Sequence, residues 1–231
     1  MALYVSLYTK NTAYERIAGQ LEESLKKFDL RYRIYAVEDQ GSWTKNTYLK
    51  PEIILDALEG EEDIVWIDAD NIVLRRPEIF DDGMDCDLAF HSRIVDDGGW
   101  SPLSSVMYWK QTQASLELVR LWLQKSQQGE LGKAGMKIPI EPGFVTRMYT
   151  DKQNDQHTFA NALWELVNEG RDIRIADLSK EYAMKYDSVN RSFHDPYIIM
   201  NQAGRIFNKE EGSKLRKKRL NTDRDRWEGA V

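Results

Sequence analysis

Residues 64–70 read Ile64-Val65-Trp66-Ile67-Asp68-Ala69-Asp70, and this stretch decides the predicted fold of the 231-residue chain. Four consecutive apolar residues are typical of a strand buried on both faces, as parallel strands between helices are. Two carboxylates follow directly, at the edge where open α/β sheets bind their ligands. The stretch therefore predicts an α/β fold with a ligand site at the carboxyl edge of its sheet.

Strand-like and helix-like segments alternate on both sides of this stretch, which is typical of a mixed, mainly parallel sheet flanked by helices. Before the acidic pair, apolar and alternating runs predict strands at 3–8, 31–37 and 63–67. A capping box of Thr12 and Glu15 begins one predicted helix, and Pro51 lies in the first turn of another. After the pair we expect strands at 87–91, 105–109, 173–176 and 197–200, and helices at 113–127 and 155–168.

The length and composition are those of one globular domain. With 42% hydrophobic and 30% charged residues, the chain can bury one sizeable core. No apolar run approaches the about 18 residues that a membrane span requires. We expect one domain at residues 1–207, followed by a charged tail at 208–231 that forms a surface helix.

Charge and cysteine content narrow the classes of partner and compartment. The formal net charge of -6 argues against a general nucleic-acid-binding protein, although basic residues cluster at 214–219. The single cysteine, Cys86, excludes an internal disulfide, suits a reducing compartment and is expected to be half-buried. The apolar N-terminus has neither a basic leader nor a small-residue cleavage site. These features predict a cytoplasmic protein without a membrane span and leave its oligomeric state open.

The acidic pair has two interpretations. If the backbone stays extended, side chains two residues apart point the same way, so Asp68 and Asp70 can share one cation. Their hard oxygens suit Mg²⁺ or Mn²⁺, which keep coordination positions for phosphate oxygens. Alternatively, the aspartates accept hydrogen bonds from N–H groups in a turn at the strand end. Because two adjacent carboxylates repel each other unless they share a cation, the pair favours a site for a metal and a nucleoside diphosphate.

The acidic pair lies within a longer motif, Val65-Trp66-Ile67-Asp68-Ala69-Asp70-Asn71-Ile72-Val73-Leu74. This motif resembles the metal-binding motif of glycosyltransferases with the GT-A fold, in particular the galactosyltransferase and glycogenin-like group. Other short motifs follow in the order expected for that group, across residues 3–205. The resemblance implies a Rossmann-like GT-A sheet and a metal-dependent transferase.

The resemblance also implies roles for residues outside the acidic pair. Tyr8, Thr9 and Asn11, at the exit of the first strand, would hold the nucleoside. Lys50 would carry a positive charge towards the diphosphate, in place of the more usual arginine. Residues 155–156, which open a helix, resemble the Asp-Gln motif that faces the donor sugar in retaining members.

The implied reaction transfers the sugar of a nucleoside diphosphate sugar, expected to be a UDP-sugar, to an acceptor hydroxyl. Charge develops on the leaving diphosphate, where a cation held by Asp68 and Asp70 would stabilise it. In a retaining reaction, Gln156 would lie on the sugar face opposite the leaving group, with Asp155 orienting the sugar hydroxyls. In an inverting reaction, Asp155 or Asp96 would be the general base. We favour retention.

The chain departs from the family pattern at the third metal ligand. Family members usually have a histidine after a short apolar strand near the end of the domain, and the best register places Met200 there. A thioether is too soft to be a good ligand for Mg²⁺ or Mn²⁺. Three possibilities remain: His194, the side-chain oxygen of Asn201, or water, and we favour water or Asn201 over His194.

Two other functions fit an acidic pair at a strand end. In a phosphatase of the haloacid dehalogenase type, the first aspartate attacks phosphorus, but that motif normally follows the first strand of the domain. A non-catalytic module that binds sugar nucleotides or glycans would share the fold without a complete metal shell. The substitution of methionine for histidine at position 200 is compatible with this second alternative.

Overall fold

The computed structural model of the chain describes residues 1–60, 62–94, 100–128, 155–185 and 196–200. Its strands are β1 Leu3–Thr9, β2 Tyr32–Val37, β3 Ile64–Ile67, β4 Asn71–Val73, β5 Leu88–Ile94, β6 Trp100–Trp109, β7 Ile175–Asp177, β8 Met184–Lys185 and β9 Ile198–Met200. Its helices are α1 Ala13–Lys27, α2 Trp43–Thr47, α3 Lys50–Glu59, α4 Gln113–Gln128 and α5 Asp155–Asn168.

Six strands form the main sheet in the order β2-β1-β3-β6-β5-β7. β1 pairs in parallel with β2 and β3, and β5 pairs in parallel with β7. β6 is antiparallel to both of its neighbours, β3 and β5. Because β6 alone reverses direction within this sheet, the other five strands end at one common edge, which we call the carboxyl edge. The predicted mixed, mainly parallel α/β sheet is confirmed.

The core surrounds β3 on both faces, as its four apolar residues predicted. Ile64 and Trp66 pack into a cluster with residues of α3, α4 and α5, whereas Val65 and Ile67 pack into a second cluster with residues of α1. All four side chains are at most 1% exposed. Burying each large apolar side chain contributes about 1.5–3 kcal/mol, so β3 is the most firmly anchored point of the carboxyl edge.

The helix after β1 begins at the predicted residue but with a variant of the expected cap. The Thr12 hydroxyl accepts a hydrogen bond from the N–H of Tyr14, and the Glu15 carboxylate accepts one from the N–H of Asn11. Asn11 adopts a left-handed conformation with φ of 58°, which turns the chain sharply out of β1. α1 therefore starts beside the carboxyl edge and runs back along the sheet.

A second sheet, with the order β4-β9-β8, was not predicted from the sequence. β4 directly follows the acidic pair and lies antiparallel to β9, with Asn71 opposite Met200. The Ser24 hydroxyl of α1 accepts a hydrogen bond from the N–H of Val73 at 3.1 Å, which ties β4 to the first helix. Of its strands, β9 overlaps the predicted strand at 197–200, whereas the short β4 and β8 were not predicted.

Most predicted elements are confirmed, and the differences have simple causes. The β5 and β6 strands extend beyond the predicted 87–91 and 105–109, because they pair with each other past the end of β3. α2 was not predicted, since a five-residue helix without buried residues leaves no apolar stripe. Cys86 is only 4% exposed, so the expected half-buried thiol is in fact buried. Among the described residues, no helix combines the length and apolarity needed to cross a bilayer.

Candidate functional site at the carboxyl edge

Asp68 leaves β3 at the carboxyl edge and is fixed there by its backbone. Its N–H donates to the carbonyl oxygen of Ser105 on β6 at 2.8 Å. Its carbonyl oxygen then accepts a hydrogen bond from the N–H of Asn71 at 3.0 Å, so residues 68–71 form a turn. Of the two arrangements considered for the acidic pair, the backbone therefore takes the turn at the strand end, and it enters β4 directly afterwards.

The turn brings the Asp68 side chain back towards its own strand. The indole N–H of Trp66 donates to Asp68 Oδ1 at 2.8 Å. Asp68 keeps 30% of its side chain exposed. Asp70 is half-buried, and its charge acts on Asp68. The two carboxylates therefore remain neighbours despite the turn.

A buried lysine joins Asp68 to two residues that are distant in sequence. Lys50 Nζ lies 2.8 Å from Asp68 Oδ1 and 2.6 Å from Asp155 Oδ2. It also donates to the carbonyl oxygen of Ser104 at 3.0 Å and to its hydroxyl oxygen at 3.2 Å. The Ser104 hydroxyl donates in turn to Asp155 Oδ2 at 2.8 Å. We call these four residues, Lys50, Asp68, Ser104 and Asp155, the Lys50 cluster.

Each member of the Lys50 cluster comes from a different element. Lys50 is the first residue of α3 and Asp155 is the first residue of α5. Ser104 lies on β6, where that strand begins at the carboxyl edge. Lys50, Ser104 and Asp155 are 4–5% exposed, so their charged and polar atoms depend on one another for partners.

Burial and charge set the protonation of the cluster. Loss of solvation raises the pKa of Asp68 to about 6, and the charges of Asp155 and Asp70 act in the same direction against the opposing charge of Lys50. Burial alone would lower the pKa of Lys50, but the two carboxylates outweigh it and the pKa is raised. Lys50 is therefore a permanent cation beside an excess of carboxylates, and such a site attracts a further cation.

The residues predicted to hold the nucleoside lie at the same edge, at the exit of β1. Tyr8 is half-buried, Thr9 is 4% exposed and Asn11 is exposed. The Thr9 and Thr12 hydroxyls lie 2.9 Å apart, which links the end of β1 to the cap of α1. β1 pairs directly with β3, so this exit adjoins the acidic pair.

Two aromatic residues beside the acidic pair were missed by the sequence reasoning. Burial and the negative charge of Asp70 raise the pKa of Tyr14, and a hydrogen bond with Trp43 opposes that rise. Trp43 is 40% exposed and is one of three large apolar residues that are exposed in the described part of the chain. The sequence near Tyr14 shows only an aromatic residue two positions after the helix cap Thr12, which by itself does not predict a binding site. These residues extend the site from Asp70 towards α2.

Gln156 follows Asp155 in the first turn of α5 and is half-buried. Asp155, the first residue of the predicted Asp-Gln motif, thus belongs to the Lys50 cluster, and Gln156 is its direct neighbour in sequence. His194 and Asn201, the candidate third ligands, lie outside the described residues, as do Asp96 and the charged tail at 208–231.

Met200 lies beside the acidic pair, opposite Asn71 in the second sheet. It is 5% exposed, and its sulfur accepts a hydrogen bond from the Ser105 hydroxyl. Asn71 donates from Nδ2 to the carbonyl oxygen of Ser105 at 3.0 Å, while its buried Oδ1 has no hydrogen-bond partner among the described residues. One hard oxygen that lacks a partner therefore stands at the strand end, next to a sulfur that suits Mg²⁺ or Mn²⁺ poorly.

The metal-ligand set is not complete within the described part of the chain. No group of three or more His, Cys, Asp or Glu residues converges there in a way that could hold a metal ion. Two carboxylates and an amide oxygen nevertheless match the oxygen ligands that Mg²⁺ and Mn²⁺ take, alongside water and phosphate. The described residues could therefore hold such a metal only together with further ligands.

The architecture is that of the GT-A glycosyltransferases, and the resemblance expected from the acidic motif is confirmed for the fold. One similar structure is a glycosyltransferase involved in the glycosylation of the major capsid of PBCV-1, with a TM-score of 0.59 and 10% identity. That match covers 96% of this chain and 100% of the other. At such low identity the likeness shows the fold alone.

Two further glycosyltransferases share the fold over most of this chain. The glycosyltransferase GlyE of Streptococcus pneumoniae matches 94% of it with a TM-score of 0.55 and 13% identity. The bifunctional glycosyltransferase WbbM matches 87% of it with a TM-score of 0.50 and 13% identity. This chain spans 58% of GlyE and 45% of WbbM. No protein-family model and no curated protein sequence matches the chain at a significant level.

Proposed function

We propose that the chain is a metal-dependent glycosyltransferase that moves a sugar from a nucleoside diphosphate sugar, a UDP-sugar, to an acceptor hydroxyl. The observation that carries this proposal is the position of Asp68, which belongs at once to the acidic pair and to the Lys50 cluster. A site for a cation and a second buried carboxylate, Asp155, are thereby joined at the carboxyl edge. The similar structures named above are glycosyltransferases, which supports the same reaction class.

Mn²⁺ or Mg²⁺ would be held by Asp68 and Asp70. When bound, such an ion neutralises the charge that develops on the leaving diphosphate. The excess of carboxylates over ammonium groups around Asp68 favours a divalent cation. We add the buried side-chain oxygen of Asn71, which follows Asp70 directly, as a further candidate ligand. Asn201 and His194 remain candidates from the sequence alone.

The nucleoside would lie against the exit of β1, where Tyr8, Thr9 and Asn11 provide an aromatic ring, a hydroxyl and an amide. Thr9 is the last residue of β1, and Asn11 is the residue at which the chain turns towards α1. Because β1 neighbours β3, a nucleoside there would direct its phosphates towards Asp70. This order along the edge supports a nucleoside diphosphate rather than a simple phosphate ester.

The donor sugar would lie near the start of α5. Asp155 is 5% exposed and accepts hydrogen bonds from Lys50 and Ser104. A carboxylate with these hydrogen bonds is better suited to orienting sugar hydroxyls than to acting as a general base. A general base must reach the acceptor hydroxyl directly. We therefore propose retention of configuration, with Gln156 on the sugar face opposite the diphosphate.

A panel of nucleotide sugars tests this proposal most directly. With Mn²⁺ present, we expect one UDP-sugar to raise the melting temperature of the protein, because a ligand that binds only the folded state stabilises it. The same sugar nucleotide should release UDP slowly, and EDTA should abolish both effects. If every nucleoside triphosphate raised the melting temperature as much as this UDP-sugar does, the assignment of a UDP-sugar site would be contradicted.

The same preparation separates the two alternative functions. Turnover of p-nitrophenyl phosphate without release of UDP would indicate a phosphatase of the haloacid dehalogenase type. Metal-dependent binding of a UDP-sugar without transfer or hydrolysis would indicate a non-catalytic binding module. The buried sulfur of Met200 beside the acidic pair is the observation that makes this second outcome worth measuring.

A further inference from the structure

The ammonium group of Lys50 has no capacity left for a ligand. It has three N–H bonds, and oxygens of Asp68, Ser104 and Asp155 lie at 2.8, 3.0 and 2.6 Å from its nitrogen. The Trp66 ring covers it at 5.3 Å from the ring centroid. Lys50 is 4% exposed in total, so solvent and phosphate have little access to the nitrogen.

The two carboxylates held by Lys50 serve different parts of the proposed site. Asp68 belongs to the acidic pair that would hold the metal, whereas Asp155 lies at the start of α5, where the donor sugar would lie. Both carboxylate oxygens approach the same nitrogen, at 2.8 and 2.6 Å. Without the cation between them, these groups would repel each other and move apart.

The backbone also favours a structural position for Lys50. It begins α3 immediately before Pro51, and α3 packs into the core through Ile54 and Leu58, which are fully buried. The base of the lysine side chain is therefore fixed, and its nitrogen reaches β6 and α5 at one place only. Because both ends of the Lys50 side chain are held in place, its ammonium group attracts the neighbouring carboxylates and also fixes where their oxygens lie.

We propose that Lys50 is a positioning residue, which sets the carboxylate of Asp155 relative to that of Asp68 and does not contact the diphosphate. This inference rests on the proposed function and deepens it. Lys50 makes the placement of the sugar-side carboxylate depend on the metal-side carboxylate. Loss of Lys50 therefore weakens recognition of the sugar and leaves recognition of the second phosphate intact.

Two affinity ratios, measured by titration calorimetry with Mn²⁺, test this role. The first ratio is the affinity for the UDP-sugar that binds best divided by the affinity for UDP, and it reports recognition of the sugar. The second ratio is the affinity for UDP divided by the affinity for UMP, and it reports recognition of the second phosphate. In Lys50→Met we expect the first ratio to fall at least tenfold and the second to change less than threefold. A fall of at least tenfold in the second ratio would show that Lys50 contacts the diphosphate, and would overturn the proposal.

A double-mutant cycle with Asp155→Asn completes the test. If Lys50 acts on the sugar through Asp155, then Lys50→Met in the Asp155→Asn background should change the first ratio less than threefold. The double variant should also recover part of the melting temperature lost in Lys50→Met, since fewer carboxylates remain without a cation. Equal losses from Lys50→Met in both backgrounds would overturn the proposal.

Two controls keep the outcome interpretable. Lys45→Met makes the same change at an exposed lysine on α2 and should alter neither ratio. Lys50→Arg keeps the charge and remains testable if Lys50→Met fails to fold, because a positioning role predicts a smaller fall in the first ratio than a neutral residue causes. If the unchanged protein binds no UDP-sugar while the double variant still recovers stability, then the proposed function fails. In that case Lys50 is a structural ion-pair partner and the positioning role is rejected.

Discussion

β3 has a carboxylate at each of its ends, and the surroundings of the two groups differ. At the amino end, Asp63 accepts hydrogen bonds from the Tyr108 hydroxyl at 2.6 Å and from the N–H of Gln111 at 2.9 Å. At the carboxyl end, Asp68 is paired with the Lys50 cation and lies close to the charges of Asp70 and Asp155. Asp63 takes part in neutral hydrogen bonds that join β3 to β6, whereas Asp68 lies in a site with surplus charge.

This contrast distinguishes a carboxylate that is satisfied within the fold from carboxylates that outnumber their cation. A carboxylate whose oxygens are satisfied by neutral donors lowers the free energy of the fold and needs no ligand. Carboxylates that outnumber their cations are costly to the fold, and such groups are typical of sites that bind a ligand. The two ends of β3 should therefore respond in opposite ways to the loss of one charge.

The largest effect is expected at the carboxyl end, from Asp70→Asn. This change removes one of the two carboxylates that we propose to hold the metal but keeps the size of the side chain. We expect it to abolish Mn²⁺-dependent binding of UDP and to change the melting temperature little, because carboxylate repulsion falls at the same time. Titration calorimetry and thermal unfolding measure the two effects, and an unchanged UDP affinity would rule out the metal site.

Asp63→Asn provides the matched change at the amino end. The amide nitrogen would face one of the two donors that now share the carboxylate, so one hydrogen bond is lost and a polar group is left without a partner. We expect a loss of about 1–3 kcal/mol in the free energy of unfolding. For a chain of this size, each kcal/mol corresponds to about 2–4 °C in melting temperature. UDP affinity should stay the same, and a loss of binding here would break the distinction between the two ends.

Asp87, which precedes β5 at the same amino edge as Asp63, gives this contrast a pH dependence. Burial alone would raise its pKa, but hydrogen bonds from the N–H and side chain of Arg174 and from Thr112 hold the pKa of Asp87 below its usual value of 3.8. The stability contributed by Asp87 is therefore present above about pH 4 and is lost as pH falls through its lowered pKa.

We expect Asp87→Asn to be less stable than the unchanged protein by about 1–2 kcal/mol at pH 7. The difference should narrow below about pH 4, where Asp87 of the unfolded chain takes up a proton more readily than Asp87 of the native state. Urea unfolding at several pH values between 3 and 7 measures this difference. If the difference in the free energy of unfolding between the two proteins stayed constant with pH, the carboxylate charge of Asp87 would not stabilise this edge of the sheet, where β3 and β5 begin.

The smallest expected effect is at the border of the site, from Tyr14→Phe. The Tyr14 hydroxyl interacts with Trp43 and lies within the field of Asp70. Without it, we expect UDP affinity with Mn²⁺ to fall by less than tenfold, which corresponds to about 1.4 kcal/mol at most. Tyr32→Phe, which removes a hydroxyl that donates to Glu22 on α1, is the matched control and should leave the UDP affinity unchanged. If Tyr14→Phe lowered the UDP affinity more than Asp70→Asn does, UDP would bind closer to α2 than to the acidic pair.

Much of this fold follows from local sequence patterns. The apolar run of β3 and the apolar stripes that define α4 and α5 fixed those elements to within about a residue, because burial on one or two faces leaves a period in the sequence. The acidic pair was identified for the same reason, since polar residues that directly follow a buried strand must lie at a sheet edge.

The parts that were missed depend on contacts between distant segments. β4 is recognisable only through its partner β9, and the turn at Asp68 is a consequence of that pairing. The sequence indicated a charge for Lys50 but not its partners, because nothing local to position 50 indicates that Ser104 and Asp155 will surround it. Roles for Gln156, Asn201 and His194 stay predictions.

The Lys50 cluster also bears on how the protein reaches its native state. The contacts of Ser104 with Lys50 and Asp155 span 54 and 51 residues of sequence. Contacts over such separations close large loops and tend to form slowly during folding. In a refolding experiment, the helical signal should therefore return before the capacity to bind a nucleotide does, and the interval between them is the time in which this corner of the sheet is assembled.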